Sequence, residues 1–296
     1  MREEFSTYHP LVNFLYFTLV LTFAMVYINP VCLAISLSCG VAYSVYINRK
    51  KAVRFSLIYM LPTLIITALI NPAFNHAGAT VLTYLPSGNP LTKESVVYGI
   101  AAAVMLISVI SWFSCFNAVI TSDKLIYLFG RVIPALSLIL SMSLRFVPRF
   151  KAQIRVISDA QRCIGRSASN GSLLSRAKCG IRILSIMVTW ALENAIETAD
   201  SMKSRAYGLP GRTAFSIYRF DGRDARALAF LLFCGVYIVT GASLGGLYFR
   251  YFPTINGSLT GIYSLSIYAV YFMLGIMPVA INIREAGVWK ALISED

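Results

Sequence analysis

Six apolar runs of bilayer-crossing length set what this chain can fold into, and a basic block separates the fourth run from the fifth. The runs are Leu11 to Ile28, Val31 to Ile47, Phe55 to Ile70, Glu94 to Ile120, Ala227 to Phe249 and Ile262 to Ile283. A helix needs about 20 mostly apolar residues to cross the hydrocarbon core, and lipid leaves a spanning segment no other way than helix or closed barrel to satisfy its backbone. Charged residues make up 13% of the chain, against about 25% in a soluble domain. The expected fold is therefore an all-α membrane protein. It has a bundle of about six transmembrane helices plus a cytoplasmic module of long amphipathic helices.

Seventeen of the 26 Lys and Arg lie between Lys124 and Arg226, and the formal net charge is +13. Basic residues collect in cytoplasmic loops, which explains this charge without nucleic acid; no basic stripe stands apart from the membrane segments. The Asn29-Pro30 turn makes the first two spans antiparallel. Arg49, Lys50, Lys51 and Arg54 then place the second loop inside, and the polar stretch Asn71 to Lys93 outside. Both termini come out cytoplasmic. Three parts follow: an N-terminal bundle of four spans (1–124), a coupling region (125–225) and a C-terminal membrane pair (226–296). Met1 to Pro10 lacks a small-residue cleavage site, so the first run is a retained span. The six Cys form no Cys-x-x-Cys pair and read as small buried hydrophobes.

Region 125–225 carries the functional signal. Leu125 to Val147 is apolar but contains Arg131, Pro134 and Arg145. A charge at mid-bilayer costs about 2.5–3.5 kcal/mol, so an interfacial helix is favoured over a true span. Phe150 to Arg166 is amphipathic, with Phe150, Ile154, Ile157 and Ile164 on one face and Arg155, Asp159, Arg162 and Arg166 on another. Ser167 to Ser172 is a loop. Ile181 to Lys203 is a second amphipathic helix, with an apolar stripe of Ile181, Leu184, Val188, Leu192, Ala195, Ala199 and Met202. Its acidic stripe of Glu193, Glu197 and Asp200 needs water or cations, because like charges on one face repel. One reading crosses the two helices so that Arg155, Arg162 or Arg166 meets Glu193, Glu197 or Asp200. The other leaves both stripes solvated.

Each amphipathic helix ends in a basic tip beside a small residue. The second closes through Arg205-Ala206-Tyr207-Gly208-Leu209-Pro210, where Gly208 suits a left-handed position and Pro210 stops the helix. An Arg in the last turn gains about 0.3–1 kcal/mol from the helix dipole. It also offers a fork for a carboxylate on a soluble partner. Plain capping by Arg is the alternative.

Ser201-Met202-Lys203-Ser204-Arg205-Ala206-Tyr207-Gly208, with Gly211-Arg212-Thr213, resembles the second Ala-Arg-Gly-type signature of the transmembrane T component of energy-coupling factor (ECF) transporters. Asp159-Ala160-Gln161-Arg162-Cys163-Ile164-Gly165 resembles the first. The resemblance implies an ECF-type ABC importer for a vitamin or metal ion. The T component is its non-catalytic scaffold, and its partners are two ABC-type ATPases, a substrate-binding membrane S component and the bilayer. It carries ATPase docking onto Ser204, Arg205, Ala206 and Tyr207, and onto Arg162, Cys163, Ile164, Gly165 and Arg166. Two departures stand: Ile164 replaces the expected Arg, for which Arg162 or Arg166 substitutes, and Ala206 replaces the expected Gly.

No Gly-x-x-x-x-Gly-Lys-Ser/Thr occurs, so nucleotide hydrolysis falls to another chain. The two His, His9 and His76, are separated and suggest no metal site, and no catalytic grouping or cofactor is expected. Tyr207, Phe215, Tyr218 and Phe220 read as interfacial anchors. Competing readings are an ordinary ABC permease forming the path itself, a membrane-embedded lipid enzyme, and a membrane anchor without transport.

Overall fold

The computed structural model describes residues 3–49, 53–54, 56–84, 89–130, 133–165, 172–207, 218–257 and 261–294. It divides into two compact units, Met1–Leu125 with Tyr218–Asp296, and Ile126–Ile217.

The first unit is a helical bundle. A short 3-10 turn (Phe5–Thr7) precedes α1 (Pro10–Val26) and α2 (Pro30–Asn48). The Asn29 side chain accepts from Val31 N at 3.0 Å, and Pro30 opens α2. Side-chain capping plus Pro at the first helical position starts a helix sharply, so the sequence places this boundary well. After a π-turn at Ser56–Met60 comes α3 (Leu61–Phe74). It runs through Pro72, past the Asn71 at which the sequence reading starts a loop.

That outer segment is not plain loop. It forms an antiparallel hairpin of β1 (Val81–Tyr84) and β2 (Pro90–Thr92). Thr80 donates from its backbone and hydroxyl to the Glu94 carboxylate at 3.2 and 2.7 Å, and Ala79 N donates to Pro253 O at 3.0 Å. The hairpin thus joins α4 (Lys93–Val119) to the loop between the last two helices. His76 meets Asn89 at 3.1 Å.

The bundle closes with α8 (Gly222–Ser243) and α9 (Ile262–Ser294); α5 to α7 follow below. The expected fifth span, extending to Phe249, stops earlier: Gly245 takes φ +84°, which turns the chain before the small ladder Phe249–Arg250 with Asn256–Gly257. Trp112, Tyr16, Tyr43, Phe5, Phe17, Leu231, Ile267 and Leu274 form the fully buried centre. Tyr16 meets Phe5 edge-on at 5.2 Å and Trp112 at 6.1 Å. Helix association in lipid depends on close packing at small residues. At Gly99 an added Cβ would lie 2.8 Å from the Ala68 carbonyl oxygen, so α3 rests directly on the α4 backbone.

Among the described residues of this unit, four helices are apolar and long enough to span: Pro30–Asn48, Lys93–Val119, Gly222–Ser243 and Ile262–Val288. Pro10–Val26 and Ile58–Phe74 are shorter apolar helices. The chain is an all-α, multi-pass membrane protein.

The N-terminal segment does what the sequence did not reveal. Phe5 N donates to Asn282 Oδ1 at 3.0 Å, and His9 N donates to Asp224 Oδ1 at 3.0 Å. Lys124 Nζ donates to Ser6 O and Val119 O at 2.6 and 2.9 Å. With the Asn13 amide in its hydrogen-bonding orientation, its oxygen accepts from Lys124 Nζ at 3.2 Å. Glu3 accepts from the Tyr43 hydroxyl at 2.7 Å. Burial pushes the Glu3 carboxyl up, against the pull of Tyr43 and Lys124. Burial pushes the Lys124 ammonium down, against the pull of Glu3.

Candidate functional site

The second unit is built on the part of α5 (Ser122–Gly130) from Ile126 onward, on α6 (Pro134–Cys163) and on α7 (Leu173–Ser204). The Ser137 hydroxyl donates to Ile126 O at 3.1 Å and fastens α5 to α6. Where the sequence reading has an interfacial segment to Val147 and a separate helix from Phe150, one helix of 30 residues carries straight through Pro148. Arg131 lies outside the described residues. α7 begins eight residues before the expected Ile181, capped by Ser172, whose hydroxyl accepts from Ser175 N at 3.4 Å. By length and composition α7 too is apolar enough to cross a membrane, at a mean hydropathy of 1.3.

The two long helices pack through faces at helical spacing. On α6 the least exposed positions include Met142, Phe146, Phe150 and Ile157; on α7 they include Cys179, Ile183, Met187, Trp190, Asn194 and Thr198. Phe146 stacks on Phe150 at 5.7 Å, and Phe150 meets Trp190 edge-on at 5.7 Å. Arg149 lies over the Trp190 ring at 5.4 Å, a cation–π contact. The expected apolar stripe of α7 therefore points elsewhere. Ile181, Leu184, Val188 and Leu192 are 49–68% exposed, Ala195 and Ala199 are exposed too, and only Met202 turns inward. On α6, Phe150 and Ile157 face inward, whereas Ile154 and Ile164 do not. Periodicity marks a face as apolar without saying whether protein or lipid covers it.

The tips have matching backbones. Arg205 is the C-cap of α7 and Ala206 follows at φ +60°. Ala206 N donates to Lys203 O at 3.0 Å, and Tyr207 N to Met202 O at 3.1 Å. This double bond pattern around a left-handed residue is a Schellman motif. Ile164 is the C-cap of α6, Gly165 follows at φ +75°, and Gly165 N donates to Arg162 O at 3.0 Å. Ile164 thus occupies the place of Arg205, and Gly165 that of Ala206. A left-handed residue closing α7 is Ala206; Gly208 and Arg166 lie outside the described residues. Arg162, Cys163, Ser204, Arg205 and Ala206 are exposed, as are Ile164 (60%) and Tyr207 (38%).

Two readings of the charge stripes are open, crossing or solvated, and Arg166 of the first lies outside the described residues. Among the described residues, Arg155 and Arg162 make no ion pair with Glu193, Glu197 or Asp200; Arg162 instead reaches Asp159 on its own helix at 3.7 Å. With both side chains more than half exposed, that pair adds little stability. The reason is chain direction. The two helices are antiparallel neighbours, so the end of α6 lies towards the start of α7, away from the acidic stripe. Opposite Glu197 stand Arg145 and Arg149, which line with it a cleft of about 670 Å³ that also takes in Arg205 and Tyr207. Sequence reasoning read Arg145 only as a charge in an apolar run and missed Arg149; their spacing of four beside Phe146 and Phe150 was the available signal. Among the described residues no three His, Cys, Asp or Glu side chains gather as metal ligands.

Comparison with known proteins fits this architecture. The chain is 33% identical over 118 residues to the energy-coupling factor transporter transmembrane protein EcfT of Lactobacillus helveticus, covering 39% of this chain and 43% of that protein. It is 28% identical over 194 residues to the EcfT of Bacillus selenitireducens, covering 62% and 72%. It is 30% identical over 105 residues to the EcfT of Lactococcus lactis, covering 35% and 40%. The chain thus spans less than half the length of the first and third of these relatives. The CbiQ cobalt transport protein family matches residues 5–215. That match takes in both helix tips and most of the membrane bundle, and the chain belongs to the CbiQ cobalt transport protein family.

Proposed function

We propose that this chain is the non-catalytic membrane scaffold of an ECF-type importer, coupling ATP hydrolysis by two ABC-type ATPases to a substrate-binding S component for vitamin or metal-ion uptake. The observation that carries this reading is the shared backbone of the two tips, Ile164-Gly165 and Arg205-Ala206. Two equivalent exposed helix ends suit two equivalent grooves, one on each ATPase. Ser204, Arg205, Ala206 and Tyr207 form one plug; Arg162, Cys163, Ile164, Gly165 and Arg166 form the other. Arg205 supplies a guanidinium fork for a carboxylate. The first tip presents Ile164 at that position, so the two plugs suit ATPases that are not identical.

The chain itself provides differential contacts rather than chemistry. When ATP draws the ATPases together, the tips follow, the crossing of α6 and α7 changes, and the outward apolar stripe Ile181-Leu184-Val188-Leu192 alters its hold on the S component. In this arrangement both termini are cytoplasmic. The membrane parts 1–124 and 226–296 anchor the coupling part 125–225.

The test is affinity purification of the tagged chain from membranes in mild detergent, with mass spectrometry of what accompanies it. Two ABC ATPases and a small membrane protein are expected. Arg205→Glu should remove the ATPases while the chain stays membrane-inserted and monodisperse, and Arg155→Glu, away from the tips, should not. Full ATPase recovery with Arg205→Glu would exclude the docking role. ATPases arriving without a further membrane protein that confers uptake would favour an ordinary permease.

A further inference from the structure

The chain leaves the first unit between Leu125 and Ile126 and returns to it between Ile217 and Tyr218. One short segment, Glu3 to His9, grips it at both places. On the departing side, Lys124 Nζ donates to Ser6 O at 2.6 Å and to Val119 O at 2.9 Å, where α4 gives way to α5. On the returning side, the Arg223 guanidinium donates to the Thr7 hydroxyl at 3.3 Å and lies over the Tyr8 ring at 4.3 Å. His9 N donates to Asp224 Oδ1 at 3.0 Å, and the His9 ring meets Phe220 edge-on at 5.4 Å. The other oxygen of Asp224 accepts from Asp221 N at 3.1 Å and so belongs to the capping box of α8.

Between the two grips the segment is stiff. It is wound into a 3-10 turn, with Thr7 N donating to Glu4 O at 2.9 Å and Tyr8 N to Phe5 O at 3.3 Å. Phe5 is fully buried, and its N–H is tied to Asn282 of α9. Ser6 and His9 therefore cannot shift independently. The two connections are also neighbours: burial, and after it the Asp123 carboxylate, pushes the Tyr218 phenol up. Lys124 and Asp224 are both buried, so opening either grip leaves a buried charge short of a partner. Groups in one such network couple rather than add.

We infer that Glu3 to His9 is a clasp that holds both connections to the coupling unit as one, with Lys124, Arg223 and Asp224 as its positioning residues. Under the coupling function proposed above, on which this last step rests, movement of residues 126–217 then reaches the membrane bundle through both connections together.

The experiment follows hydrogen exchange of the full chain in detergent, at peptides covering Ser122 to Phe129 and Asp221 to Leu228. Each substitution is read at the connection it does not touch. Arg223→Gln should quicken exchange several-fold at Ser122 to Phe129, and Lys124→Gln should do so at Asp221 to Leu228. The double variant should add little to either single one, because the clasp is already open. Arg250→Gln, on the ladder beyond α8, should change neither peptide. If Lys124→Gln does not fold, Arg223→Gln decides alone, since its bond to Thr7 is at the surface. A rise confined to the peptide beside the substitution, full additivity in the double variant, or a rise at the far connection no larger than at Ala103 to Trp112 in α4 would overturn the clasp. In the assembled importer, Arg223→Gln should keep its ATPases yet lower uptake per ATP hydrolysed several-fold. Unchanged uptake per ATP would overturn the role in coupling. If the parent chain brought no ATPases, the proposed function would fail, while the exchange result on the isolated chain would still decide the clasp.

Discussion

Ala206 holds the left-handed conformation at φ +60°, in which an L side chain with a Cβ costs roughly 1–2 kcal/mol. Gly165 holds the same conformation at φ +75°, with nothing within 4 Å of where a Cβ would be. The difference between the tips is thus one of backbone strain rather than crowding. Ala206→Gly should stabilise the last turn of α7 by about 0.5–1 kcal/mol, and Gly165→Ala should destabilise that of α6 by a similar amount. Hydrogen exchange at the Tyr207 and Gly165 amides reads this directly, as a several-fold slowing in the first variant and a several-fold quickening in the second. Unchanged rates in both would mean that the tips are not held by these turns. The sequence located Arg205 and its neighbours, because helix-stop chemistry is local. It named Gly208, which lies outside the described residues, and not Ala206, which the local rule does not favour because it carries a Cβ. Arg145 was legible only as a cost to membrane burial and Arg149 not at all, since their partner surface comes from another helix.

Elements show where a local rule yields to packing. Pro148 would ordinarily end or kink a helix, having no N–H and clashing with the preceding turn, and a break there was the natural reading. α6 nonetheless continues through it to Cys163, with Phe146 and Phe150 on either side engaged in ring contacts. The α3–α4 pair makes the same point about small residues. Gly99 lies against the backbone of α3, where a Cβ would come within 2.8 Å of the Ala68 carbonyl oxygen. Gly99→Leu should force these helices apart and lower stability by about 1–3 kcal/mol, the usual cost of overpacking. Thermal unfolding in detergent measures it. A variant as stable as the parent would show that α3 moves freely against α4. The outer hairpin between them could not be read from sequence, as its strands are short and held partly by Glu94 and Pro253, remote from the turn itself.

For the molecule as a whole, the N-terminal segment ties distant parts of the first unit together. Lys124, 7% exposed, donates hydrogen bonds to the Ser6 and Val119 carbonyls and the Asn13 amide oxygen. Hydrogen bonds to a charged group are each worth about 1.5–3 kcal/mol. Lys124→Met should therefore destabilise the bundle by about 2–4 kcal/mol, and protease cleavage near Ser6 should rise in step. A stable, protease-resistant variant would mean that Phe5 and His9 hold the segment unaided, through Asn282 and Asp224.

The sequence by itself determined the class of fold, the main helices and the two tips. Apolar run length, capping residues and helix-stop signals act within a few residues, and water or lipid enforces them wherever the chain goes. Tertiary structure alone decided which apolar face of α7 meets α6, which Arg residues stand opposite Glu197, and that Phe5 and Tyr8 are buried beside the bundle's polar network. Each of these depends on helix direction and on contacts between residues far apart in the chain, about which a local pattern carries no information.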